Sequence, residues 1–236
     1  RIDTAYSNIK TLSGYARKYN AIGLLNTEWG DFGHINNPAF AVPGIIYGGV
    51  FTWNLDAYSG EAAIGKEELN KAISKIEYGD CTESYLELLE KASLNQIFDW
   101  WSCVLLYEGF AEEGKFDEKT APHGFSSHKA LTERLERFKE NIEAVDKASG
   151  ELYNLRKELR KAVITMDSSN KAELDKADNA IVGIDIWNKI GRAVVIPEST
   201  SEEDRKLLAE ELEIWFMKYK NIYRADSKES LLGRVS

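Results

Sequence analysis

Between Ile2 and Tyr19 the apolar residues Ile2, Ala5, Tyr6, Ile9, Leu12, Ala16 and Tyr19 recur mostly at steps of three and four. That is the stripe of an amphipathic helix, with Asn20 suited to end it. The next run, Ala21-Ile22-Gly23-Leu24-Leu25-Asn26-Thr27, shows no polar alternation. A short continuous apolar run fits a strand buried on both faces, as in a parallel sheet covered by helices. Residues 28–38 read as a polar, glycine-bearing loop, and Pro43 suits the first turn of a second helix over 43–54. Gly44, Gly48 and Gly49 lower that helix's intrinsic stability, so they imply close packing against a neighbouring element. The order helix, strand, loop, helix is the tail of an alternating α/β fold.

Beyond residue 58 the pattern turns almost wholly helical, with helices expected over 65–78, 83–110, 128–163, 169–193 and 201–222. In the last of these Leu207, Leu208, Leu212, Trp215, Phe216 and Tyr219 keep the helical step. Its start, Ser201-Glu202-Glu203-Asp204, resembles a capping box with acidic first-turn residues. The stretch 111–127, with Gly114, Pro122 and Gly124, reads as the clearest loop. The chain therefore divides into a mixed segment, 1–58, and an all-helical domain, 59–236.

Composition narrows the classes. At 236 residues, 43% hydrophobic and with four prolines, the chain has material for a sizeable core. A net charge of −9 argues against a nucleic-acid or anionic-membrane partner and raises no objection to a neutral one such as a sugar. No apolar run approaches the roughly 18 residues of a membrane span. Cys81 and Cys103 are too few for a disulfide framework and read as buried thiols in a reducing, cytoplasmic setting. The chain opens at Arg1 directly inside a helical pattern, which reads as an internal start, so secretion stays open.

Chemistry concentrates after the apolar run, where Glu28, Trp29, Asp31 and His34 follow one another in a glycine-bearing stretch. Ligands of (β/α)-barrels bind at that carboxyl end of the strands. A tryptophan face can cover the apolar C–H face of a pyranose, and a carboxylate two residues on can accept hydrogen bonds from ring hydroxyls. Spacing by two along extended chain points both side chains to one side. The alternative is a core tryptophan beside an aspartate in a turn.

Asn26-Thr27-Glu28-Trp29-Gly30-Asp31-Phe32-Gly33-His34, followed by Pro43-Gly44-Ile45-Ile46-Tyr47-Gly48-Gly49-Val50-Phe51-Thr52-Trp53-Asn54, resembles the last strand and helix of the barrel in glycoside hydrolase family 20. The likeness is strongest to the exo-β-N-acetylhexosaminidases that append a helical domain. It implies that 1–58 is the closing α7-β8-α8 of a (β/α)8 TIM barrel and that 59–236 is an all-helical C-terminal domain. It also implies removal of terminal β-linked N-acetylglucosamine, or N-acetylgalactosamine, with retention. In the family the 2-acetamido group attacks the anomeric carbon while a glutamate acts as acid and then base, an exception to the two-carboxylate scheme. Trp29 would stack on the sugar and Asp31 would hold its distal hydroxyls. Glu28 stands where the branch more often has Asp, and His34 is a further candidate contact. The family's catalytic Asp-Glu pair lies upstream of everything in this chain, so no catalytic residue is expected here. The resemblance implies no cofactor and no metal.

Other features are blander. Asp175 with Asp178, and Glu210 with Glu211, fall in helical patterns and read as solvated faces, and Asp185 stands alone. His123 and His128 have no partner at ligand spacing. Phe98, Trp100, Trp101 and Tyr107 suit a core or subunit interface, Trp53 reads as packed, and the long aromatic-bearing helices suggest homodimerisation. The rival readings are a non-enzymatic helical interaction module and another barrel glycosidase.

Overall fold

The computed structural model describes residues 2–28, 37–61, 63–98, 128–140, 142–166 and 171–227. In chain order its helices are α1 (Ile2–Lys18), α2 (Val42–Asn54), α3 (Lys66–Ile76), α4 (Tyr85–Leu94), α5 (His128–Glu140), α6 (Ala144–Thr165), α7 (Lys171–Val195) and α8 (Glu202–Asp226). Short 3-10 turns lie at Pro38–Ala41, Leu55–Tyr58 and Pro197–Ser199.

Among the described residues there is no strand and no sheet, so residues 21–27 are not the closing strand of a TIM barrel. A strand exists only as one side of a ladder, and none of the described residues forms a second strand beside this run. Continuous apolar character does not by itself choose between strand and other conformations. Ile22 and Leu25 are exposed rather than buried on two faces. The all-helical expectation for the later part of the chain agrees with α3 to α8.

The chain forms two compact units. The first comprises Arg1–Ser93, Leu155–Ala180 and Tyr219–Ser236. Here the buried stripe of α1 meets α2. The Tyr6 ring sits edge-on to Tyr47 and Phe51, at centroid distances of 5.4 and 5.2 Å. Leu69, Ile73, Leu86 and Leu88 extend this core through α3 and α4, and Leu159, Ala162, Leu174 and Ala177 do so from parts of α6 and α7. The start of α4 is tied by Asp80, fully buried, which accepts from the backbone N–H groups of Thr82, Ser84 and Tyr85, each at 2.8 Å. The Thr165 hydroxyl adds a bond to Asp80 at 3.1 Å. Lys176, only 8% exposed, reaches both Glu173 (2.5 Å) and Asp226 (2.6 Å).

The second unit comprises Leu94–Asn154 and Ile181–Lys218. Phe98 is fully buried with its ring 5.2 Å from that of Phe138. Gly191 lies under the same ring, where an added Cβ would stand 2.4 Å from its atoms. Trp215 covers Gly183 in the same way, at 2.8 Å. Asn188, fully buried, accepts from the Ile97 N–H and donates to the Asn95 carbonyl, both at 2.8 Å. At the start of α8 the Ser201 hydroxyl accepts from the Asp204 N–H at 3.1 Å, the expected cap.

Three helix expectations change. The helix expected over 83–110 begins at Tyr85 and ends at Leu94, because Asn188 takes backbone groups of Asn95 and Ile97 that a continued helix would use. The span expected over 128–163 is two helices, with Ile142 N–H bonding to the Lys139 carbonyl at the turn between them. Trp53, in the last turn of α2, is 92% exposed rather than packed. Cys81 is exposed rather than buried, since it lies in the turn just after Asp80.

Candidate functional site

The chain approaches the candidate site from the end of α1. Asn20 adopts a left-handed conformation (φ 52°) while the Ala21 N–H bonds to the Ala16 carbonyl at 2.8 Å and the Asn20 N–H bonds to the Arg17 carbonyl. This is the paired closure by which a helix satisfies its last carbonyls and turns the chain aside. A short asparagine tolerates that conformation better than most residues.

Residues 21–28 then run without a strand partner until Asn26. Its side-chain Nδ2 donates to the Gly44 carbonyl in the first turn of α2, at 2.8 Å. Gly48, one turn further along α2, faces the same side chain. A Cβ there would lie 2.6 Å from Asn26 Nδ2 and 3.2 Å from its Cγ. The implied close packing of the α2 glycines therefore holds at Gly48, whose neighbour is an asparagine side chain. It does not hold at Gly49, which faces open space.

Glu28 is exposed. Trp29, Asp31 and His34 lie outside the described residues. The chain resumes at Asn37, 7% exposed, whose side chain accepts from the Ala39 N–H at 3.0 Å and caps the turn Pro38–Ala41 leading into α2. Pro43 sits in the first turn of that helix, as its fixed φ favours. The described residues on either side of 29–36 are thus both anchored at the start of α2: Asn26 on Gly44, and Asn37 at the turn that enters the helix. Sequence reasoning quoted Asn26 only as part of a motif and gave it no role; Gly48 was the one signal that something lies close.

A separate cleft of about 350 Å³ lies between the carboxy-terminal ends of α1 and α2, lined by Ser13, Arg17, Leu24, Phe51, Thr52 and Trp53 among others. Arg17 forms a bidentate pair with Asp56 beside it. Glu28 is not part of that lining.

Three of the carboxylates set aside in the sequence are engaged by cations. Asp178 pairs with Arg156 at 2.7 Å, and Asp185 and Glu211 both reach Lys189, at 3.0 and 3.3 Å. Burial works against the charge on Lys189, but the hydrogen bond and charge of Asp185 outweigh it and hold the ammonium above its usual range. Among the described residues no group of three or more His, Cys, Asp or Glu side chains is placed to hold a metal ion. His123, Trp100, Trp101, Tyr107 and Cys103, and the side chain of His128, lie outside the described residues. No described helix is long and apolar enough to cross a membrane. No family model, curated protein or solved structure matches the chain.

Proposed function

We propose that this chain contributes the sugar-binding part of a glycosidase that releases terminal β-linked N-acetylglucosamine or N-acetylgalactosamine. In this reading Trp29 stacks on the apolar face of the terminal sugar and Asp31 accepts hydrogen bonds from its hydroxyls. The reaction retains configuration through the substrate's own acetamido group. The acid pair that assists it comes from polypeptide other than this chain. A cytoplasmic site of action and homodimerisation belong to the same proposal, and no cofactor or metal enters it.

One observation supports the reading most. The two stretches that carry the family resemblance, 26–34 and 43–54, meet through Asn26 on Gly44 and Gly48. The motif's Asn26 and Gly48 therefore have a shared physical reason, independent of any sheet.

The test is hydrolysis of an aryl β-N-acetylglucosaminide by the longer enzyme this reading requires, native and with Trp29→Ala or Asp31→Ala. A loss of about tenfold or more in each variant, roughly 1.4 kcal/mol of transition-state stabilisation, is expected. The chain by itself should leave the substrate uncleaved. Activity untouched by both substitutions overturns the sugar-binding roles. An inactive native enzyme favours the helical interaction module, for which the exposed Leu12, Tyr15, Tyr19, Ile22 and Leu25 are the supporting feature.

A further inference from the structure

We propose that Asn26 is a positioning residue for the sugar-binding segment, and that Gly48 is glycine in order to leave room for it. The inference rests on the sugar-binding reading of Trp29 and Asp31 and adds to it the device that aims them.

Three geometric facts carry the inference. Asn26 stands three positions before Trp29, so its placement sets where the chain enters the binding segment. Its Nδ2 donates to the Gly44 carbonyl at 2.8 Å. A carbonyl oxygen has two lone pairs, so Gly44 can accept this bond and still serve the helix. In an α-helix the partner of carbonyl i is the N–H of residue i+4, which for Gly44 is Gly48. A side chain reaching the second lone pair of Gly44 must therefore lie against Gly48. The contact distances agree: a Cβ at Gly48 would meet Asn26 Nδ2 at 2.6 Å, Cγ at 3.2 Å and Cβ at 3.3 Å. Gly49, its neighbour in sequence, has nothing within 4 Å, so the close approach is particular to Gly48 and not a general property of this helix.

The latch needs asparagine in particular. Aspartate has the same shape, but its carboxylate cannot donate and would oppose the Gly44 carbonyl. Alanine removes the reach altogether. The Asn26 side chain is largely exposed, so its contribution lies in geometry more than in stability. Displacements on the order of 1 Å in groups that hold a substrate are enough to weaken binding severalfold or more.

The experiment compares Asn26→Asp, Asn26→Ala, Gly48→Ala and the Asn26→Ala/Gly48→Ala double variant in the longer enzyme, on an aryl β-N-acetylglucosaminide. Melting temperature is recorded for each. Asn26→Asp and Gly48→Ala are expected to raise KM about tenfold with kcat changed less than about threefold, as for lost binding made equally in ground and transition states. Their melting temperatures should stay near that of the parent. Adding Gly48→Ala to Asn26→Ala should raise KM much less than Gly48→Ala does in the parent, because the new methyl then meets only the Cβ left at position 26, at 3.3 Å, and no amide. A fully additive double variant overturns the latch. So does an unchanged KM in both Asn26→Asp and Gly48→Ala while Trp29→Ala and Asp31→Ala impair the enzyme, an outcome that leaves the sugar reading standing. Silence of Trp29→Ala and Asp31→Ala overturns both together. Should Asn26→Asp fail to fold, Gly48→Ala and the double variant decide alone.

Discussion

The Tyr47 hydroxyl donates a 2.5 Å hydrogen bond to Asn70 Oδ1, joining α2 to α3 across 23 residues of sequence. Tyr47 is fully buried and Asn70 is 4% exposed. Asn70 passes the connection on, its Nδ2 donating to Glu90 at 3.4 Å, and Glu90 pairs with Lys66. Burial, and then the nearby Glu90 charge, push the Tyr47 phenol well above its usual 10.0. It therefore remains a donor at neutral pH.

Replacing Tyr47 with Phe keeps the ring against Tyr6 and removes only the donor. A buried acceptor deprived of its partner costs about 1–2 kcal/mol, and that loss is the expected result in urea unfolding at pH 7. In a cycle with Asn70→Leu the two changes should be coupled by about 1 kcal/mol, since each removes the same bond. Strict additivity would show that the bond contributes nothing to stability.

Asp80 makes stability depend on acidity. Burial tends to raise its pKa, but the bonds it accepts from Thr82, Tyr85 and Ser84 outweigh that and hold the carboxyl below its usual 3.8. A carboxylate depressed on folding adds stability that is complete above the unfolded value and is lost as pH falls through the lower, folded-state value. Asp80→Asn sets an NH2 group among N–H and O–H donors. It should cost about 2–3 kcal/mol at pH 7, with the gap to the parent closing as pH drops below 3.8. Circular dichroism of urea unfolding at pH 7, 4 and 3 checks this. A gap that does not change with pH would remove the carboxylate's charge from the explanation.

Helix by helix, legibility in the sequence followed local chemistry. The first half of the α1 stripe, the Asn20 stop and the Ser201 cap involve residues within a few positions of one another and stand where the pattern put them, whereas Leu12 and Tyr19, further along the stripe, are exposed. The turn between α5 and α6 left no trace in the hydrophobic phase. Phe138 and Val145, both buried, are seven residues apart and fall on one helical face whether or not the helix is continuous. The strand reading of 21–27 failed because strand formation depends on a partner that a single run cannot reveal. At the candidate site, Gly48 announced a close approach, while the identity of the visitor lay in a contact from Asn26 to a helix that starts sixteen positions later.

Asn188 tests the largest of these corrections, the end of α4 at Leu94. Its fully buried amide accepts from the Ile97 N–H and donates to the Asn95 carbonyl, so it holds the chain that follows the helix in place of a further turn. Both roles need an amide. Asn188→Asp keeps the shape and the acceptor but, once ionised, turns a carboxylate toward the Asn95 carbonyl in a site closed to water. Two buried acceptors facing each other should cost about 3 kcal/mol at pH 7. Protonation restores a donor, because a neutral carboxylic acid can donate through its O–H and accept through its other oxygen. The penalty should therefore shrink as pH falls from 7 toward about 5, since burial raises the pKa of such a carboxyl. The Asp80→Asn gap also narrows on acidification, but in a lower window and because the parent loses stability there, whereas here the variant regains it. Unfolding of Asn188→Asp and the parent across that pH range checks it. A penalty that stays constant or grows on acidification would mean that Asn188 does not hold Asn95 and Ile97 as described, and the end of α4 would need another cause.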